Sequence, residues 1–144
     1  MKSTVDPQEI IGKPRVVAVV GASKNPEKDA YTVPEYLLAH GFTVIPINPT
    51  ADAIHGVRVY PSLKDIPEEV ARTVEVVDVF RPSEEFPEVA RQVVAMKARA
   101  GKPLVFWGQL GLENEEAKGI LSVAGIDYVM DSCMRTEHQR KGAR

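Results

Sequence analysis

Five short apolar runs, each alternating with a stretch of helical pattern, constrain the fold of this 144-residue chain more than any other feature. The first run, Arg15-Val16-Val17-Ala18-Val19-Val20, shows no polar alternation and is dominated by β-branched side chains. That is the pattern of a central parallel strand covered on both faces. The others are Thr43-Val44-Ile45-Pro46-Ile47, Val74 to Phe80, Leu104-Val105-Phe106-Trp107 and Asp127-Tyr128-Val129-Met130. Between them, Thr32 to His40 reads as a helix with Pro34 in its first turn and Gly41 at its exit. A second helix is expected from about Ser83 to Ala98, with Phe86, Val89, Val93 and Met96 at helical spacing. Asn114 caps a third, running to about Ala124, with Glu115 and Glu116 at its positive end. Asp6 to Gly12 reads as a short leading helix with a capping Asp, Pro at the first position and Gly at the exit. Val57 to Tyr60 is expected to be extended, and Ser62 to Pro67 to form one helical turn capped by Ser62. Strands alternating with helices imply an α/β fold. The expected form is a Rossmann-like, doubly wound, mainly parallel five-stranded sheet with helices on both faces, built as one domain over residues 1–144.

The formal net charge of −2 argues against a general nucleic-acid or membrane-surface role, which needs a basic excess. No apolar run is long enough to span a bilayer. The start, Met1-Lys2-Ser3-Thr4, lacks the apolar core of a signal peptide, so a cytoplasmic location is expected. The single cysteine, Cys133, excludes an internal disulfide and fits a reducing compartment. It reads as a small buried apolar residue rather than a nucleophile. The nearest histidine in sequence, His138, falls in the basic stretch Arg135 to Arg144, which reads as a frayed, solvated tail. Glu137-His138 has no companions at metal-ligand spacing, so no metal site is expected. Nor does any residue pattern assign a catalytic group.

If the first run is central, ligands belong beyond the carboxyl ends of the strands, where the strand order reverses. Four loops meet that rim: Gly21-Ala22-Ser23-Lys24, Ile47-Asn48-Pro49-Thr50, Phe80-Arg81-Pro82-Ser83 and Trp107-Gly108-Gln109. Backbone N–H groups, hydroxyls, Lys and Arg suit phosphates, and flat side chains suit a base. The ligand need not be a nicotinamide dinucleotide. Only Gly21 of the G-x-G-x-x-G glycines is present, and the second strand ends in Asn48-Pro49 where a ribose-binding acid is usual. Asp52 lies a little beyond. Each motif also has a plain structural reading. Gly21-Ala22-Ser23 can be only a tight turn, Asn48-Pro49 a strand terminator, Arg81 a solvated charge and Trp107 packing.

Several segments, in order and spacing, resemble one family. They include Val17-Ala18-Val19-Val20-Gly21-Ala22-Ser23, Val44-Ile45-Pro46-Ile47-Asn48-Pro49, Ile54-His55-Gly56 and Tyr60-Pro61-Ser62-Leu63. Val77-Asp78-Val79-Phe80-Arg81-Pro82, Trp107-Gly108-Gln109-Leu110-Gly111 and Met130-Asp131-Ser132-Cys133-Met134 continue the pattern. The chain is similar to the small stand-alone CoA-binding proteins. These are related to the CoA-binding domain of the succinyl-CoA synthetase alpha subunit and of nucleoside-diphosphate-forming acyl-CoA synthetases.

The resemblance implies non-covalent binding of coenzyme A or an acyl-CoA along the carboxyl rim. Carried over by position, Gly21, Ala22 and Ser23 approach the phosphates, and Asn48 and Pro49 shape the adenosine side. Phe80, Arg81 and Pro82 border the nucleotide, and Trp107 lies towards the pantetheine arm. The larger relatives carry a lysine just after the second-strand proline. Here Thr50-Ala51 stands instead, so Lys24, Lys28 or Arg81 has to supply the charge. Two alternatives stay open. One is a CoA-binding subunit of a multi-subunit acyl-CoA synthetase. The other is an NAD(H)-binding redox regulator of similar fold. A homodimer or a synthetase partner subunit is the expected kind of protein partner.

Overall fold

Each apolar run becomes a strand of one parallel sheet in the computed structural model of the chain, which describes residues 1–142. The strands are β1 (Val16–Val20), β2 (Thr43–Ile47), a hairpin of β3 (Ala53–Ile54) and β4 (Val57–Arg58), then β5 (Val76–Val79), β6 (Val105–Gly108) and β7 (Asp127–Val129). The sheet order is β2-β1-β5-β6-β7, with every neighbouring pair parallel. The chain goes from β1 outwards to β2, then returns to β5 on the other side of β1. The switch point therefore lies between the carboxyl ends of β1 and β5.

The helices are α1 (Pro7–Ile11), α2 (Asp29–Ala39), α3 (Glu68–Ala71), α4 (Phe86–Ala100), α5 (Glu115–Val123) and α6 (Met134–Gly142). Alternation along the strands divides the core between two faces. Val17, Val19, Val76, Val105 and Trp107 pack with Ile11, Val33, Leu37 and Met134 of α1, α2 and α6. On the other face Ala18, Val77 and Phe106 pack with Phe86, Val93 and Leu121 of α4 and α5. Each of the larger of these side chains, exposed by a few per cent or less, contributes about 1.5–3 kcal/mol of hydrophobic stabilisation. Both sheet edges are covered: Tyr60 bridges Ile47 beside β2, and Ser3 bridges Val129 beside β7.

The leading helix is capped as the sequence suggests, with the Asp6 side chain accepting from the Gln8 N–H. Asn114 likewise accepts from the Ala117 N–H. Three expectations are corrected. The helix expected from Thr32 begins at Asp29, so Pro34 lies inside α2 rather than in its first turn. Proline has no N–H for the carbonyl four residues back, and the freed Ala30 oxygen instead accepts from the Ser23 N–H at 3.1 Å. Ser62 does not cap a backbone group; its hydroxyl donates to Asp65 Oδ2 at 2.8 Å ahead of a 3-10 turn over Leu63–Asp65.

The expected tail is also helical as far as Gly142, and residues 143 and 144 lie outside the described residues. Beyond the buried Met134, α6 has little apolar content, and polar pairs that a hydrophobic pattern does not reveal add to its docking. Gln8 Nε2 donates to Glu137 Oε2 at 2.6 Å, and the Tyr36 hydroxyl meets His138 Nδ1 at 2.7 Å. Arg135 Nη1 donates to Thr32 Oγ1 at 3.0 Å.

Candidate functional site

The switch point opens into a cavity of about 540 Å³, within the roughly 300–1,000 Å³ usual for small-ligand clefts. Three of the four rim loops build it. Gly21, Ala22 and Ser23 come from the first, Asn48 and Pro49 from the second, and Phe80 and Arg81 from the third.

Gly21 leaves β1 at φ +85°, and a Cβ there would stand 2.9 Å from the Phe80 carbonyl oxygen and 3.0 Å from Arg81 Cδ. Glycine is needed both for the left-handed backbone and for this close crossing of two loops. The Gly21 N–H donates to Ile47 O at 3.0 Å, fastening the first loop to the end of β2. Asn48 secures the same junction: its Nδ2 donates to Ala22 O at 2.8 Å. Its Oδ1 accepts from the Thr50 N–H, the Thr50 hydroxyl and the Ala51 N–H. Asn48 therefore organises the loops more than it offers groups to a ligand.

With Gly21 and Ser23 N–H engaged internally, the wall residues whose N–H carries no hydrogen bond among the described residues include Ala22 and Ala30. Ala30 lies in the first turn of α2, whose positive dipole end favours an anion. Lys28, the residue preceding α2, adds a cationic side chain to the wall. This donor set fits a phosphate group. Arg81 is held by Glu85, four residues on: Nε donates to Oε1 at 3.2 Å, and Nη2 donates to Oε1 at 3.1 Å and Oε2 at 2.9 Å. Glu85 and Glu88 both line the cavity with these two cations, Glu88 also lying 3.8 Å from Arg91.

Lys24, Pro82 and Trp107 are not brought to the wall. Lys24 and Pro82 are exposed beyond it. Trp107 is fully buried on the α2 side of the sheet, its indole N–H donating to Ser132 O at 2.8 Å. Conversely, Lys28, Ser62, Glu85, Glu88, Val89 and Gln92 line the cavity without having been singled out as binding residues, apart from Lys28 as a substitute charge. A signal for four of them existed. Positions 85, 88, 89 and 92 share one face of a helix that starts at the rim. Ser62 is delivered by the Tyr60 bridge, which no local pattern announces.

On the central strand β5, Asp78 lies between Val19 of β1 and Trp107 of β6. It is wholly buried, and neither carboxylate oxygen has a hydrogen-bond partner among the described residues. Burial pushes its carboxyl well above the usual range, with only the neighbouring Val79 N–H pulling the other way. Among the described residues no group of three or more His, Cys, Asp or Glu could hold a metal ion, and no helix is long and apolar enough to cross a membrane.

Comparison with known proteins agrees with this architecture. The chain is 36% identical over 136 residues to the uncharacterized protein YneT of Bacillus subtilis (strain 168), covering 94% of each. It is 35% identical over 108 residues to acetate–CoA ligase [ADP-forming] II of Archaeoglobus fulgidus, covering 74% of this chain but 15% of that protein. A solved structure of a hypothetical protein from Pyrococcus horikoshii OT3 superposes with a TM-score of 0.82 at 37% identity, covering 94% of this chain and 89% of that one. Residues 15–139 match the family model of the CoA binding domain, which spans every strand of the sheet. The chain belongs to the CoA binding domain family.

Proposed function

We propose that this chain binds coenzyme A, free or acylated, non-covalently in the rim cavity. The observation that carries the reading is the convergence of the Gly21, Asn48 and Arg81 loops on one cavity at the switch point, in a chain of this family. The diphosphate lies against the Gly21–Ser23 loop and the start of α2, where the Ala22 and Ala30 N–H groups and Lys28 are the available donors and Arg81 joins them on leaving Glu85. Asn48 and Pro49 shape the adenosine side, and Phe80 supplies a half-buried ring beside the nucleotide. Lys24, Pro82 and Trp107 are left out of this assignment because they stand off the wall.

Calorimetric titration with CoA, alongside NAD and ATP, tests the reading. One-site CoA binding tighter than roughly 100 micromolar, about −5.5 kcal/mol, is the expected result. Silence with CoA beside clear binding of another nucleotide would overturn it. The likeness to a segment of an acetate–CoA ligase supports a second reading, in which the chain lends its CoA site to a synthetase partner. Co-purification with ligase subunits from the native source, and CoA-dependent acyl transfer only in their presence, is the test of that role.

A further inference from the structure

We propose that Glu85 is a built-in competitor for the ligand's anionic group, occupying the edge of Arg81 that a phosphate would otherwise take. The inference rests on the CoA reading above and adds how affinity at that site is set. The Glu85 carboxylate covers the Nε–Nη2 edge of the guanidinium with three hydrogen bonds, the fork geometry that also suits phosphate oxygens. The Arg81 stem passes over Gly21, with Cδ 3.0 Å from where a Cβ would stand, so the guanidinium reaches the cavity across the glycine loop. Both side chains line the cavity and both are about half exposed, at 46%. An exposed pair of this kind is weak and screened, so it can be exchanged. A buried pair would not yield.

The cavity's charge supports the same conclusion. Lys28 and Arg81 are opposed by Glu85 and Glu88, so the wall does not present an unopposed positive field. A carboxylate ligand gains nothing by replacing Glu85, which offers the same two oxygens without loss of translational freedom. A phosphate brings more charge and a further oxygen, and so it can win the exchange. Glu85 thereby selects phosphorylated ligands over carboxylates.

The test is titration of CoA and, separately, of inorganic pyrophosphate into the wild type and the Glu85→Gln, Glu88→Gln, Arg81→Ala and Glu85→Gln/Arg81→Ala variants, each checked for folding by thermal unfolding. Glu85→Gln is expected to bind both probes about two- to fivefold tighter at low salt, the range corresponding to an exposed ion pair, with the gain shrinking as salt rises. Glu88→Gln should gain less, and Glu85→Gln should gain nothing when Arg81 is absent. Unchanged or weaker binding by Glu85→Gln would overturn the proposal. So would an equal gain from Glu88→Gln, or a gain that persists without Arg81. CoA binding by the wild type with no gain from Glu85→Gln would leave the CoA reading standing and remove the competitor. Tighter pyrophosphate binding by Glu85→Gln in a protein that ignores CoA would do the reverse. Binding of neither probe by any variant would remove both.

Discussion

Replacing Asp78 by valine should make the protein more stable, and increasingly so as the pH rises. Asp78 lies on a central strand with no exposed surface and, among the described residues, no hydrogen-bond partner for either oxygen. A buried polar group left unsatisfied costs about 1–3 kcal/mol, and an apolar replacement of similar shape recovers it. Valine has one heavy atom fewer than aspartate and suits a strand, so overpacking does not offset the gain. The pH dependence follows from the direction of the shift. The carboxyl is raised in the folded state, so the folded protein holds a proton that the unfolded chain releases above about pH 3.9. Stability from this group is complete below that value and declines as pH rises towards the folded-state value. Over that window the folding equilibrium weakens by a factor of about ten per pH unit. Urea unfolding of both proteins across the acidic to neutral range measures it, read as the difference between variant and wild type so that other titrating groups cancel. The difference should favour valine by about 1–3 kcal/mol at the acid end and grow with pH. A difference independent of pH, or a less stable variant throughout, would show that the Asp78 oxygens are satisfied and refute the reasoning.

Gly21→Val should lower stability by about 1–3 kcal/mol through its left-handed backbone and the contact with Phe80 O, and should abolish CoA binding in a domain that still folds. Normal titration by the folded variant would refute the site. His138 supplies an opposite pH effect. Burial first, then the charges of His40 and Lys141, hold its imidazole below the usual value, while Tyr36 and Phe42 also pack against it. Its contribution is therefore present above about pH 6.5 and lost as pH falls through the folded-state value. His138→Gln should flatten the acid side of the stability profile; an unchanged profile in urea unfolding would show that α6 docking does not sense pH.

The strands were legible because burial on both faces leaves continuous β-branched runs, and β2 falls where its sequence ends at Asn48-Pro49. The rim loops followed from the same pattern, since a parallel sheet places them together whatever their sequence. The start of α2 was hidden because Lys28 precedes it without a capping side chain. α6 was hidden because a polar helix held by Gln8, Tyr36 and Thr32 has the same composition as a solvated tail. Trp107 kept two readings in the sequence, packing or ligand, because its place at a strand end says nothing about which face it occupies. It shares its side of the sheet with Val105, pointing at the α1, α2 and α6 layer rather than into the cavity.

The Ser23 N–H has the Ala30 oxygen to itself within the helix register, because Pro34, eleven residues beyond Ser23, has no donor to offer it. Two positions far apart in sequence are thus tied by a missing hydrogen. Any other residue at 34 would offer its own N–H to the Ala30 oxygen, and the loop would have to share its anchor. Within the family, the residue at the position of Pro34 should therefore vary together with the conformation of the glycine loop. A substitution drifting into the middle of a helix would then be inherited as a change in the shape of the ligand rim.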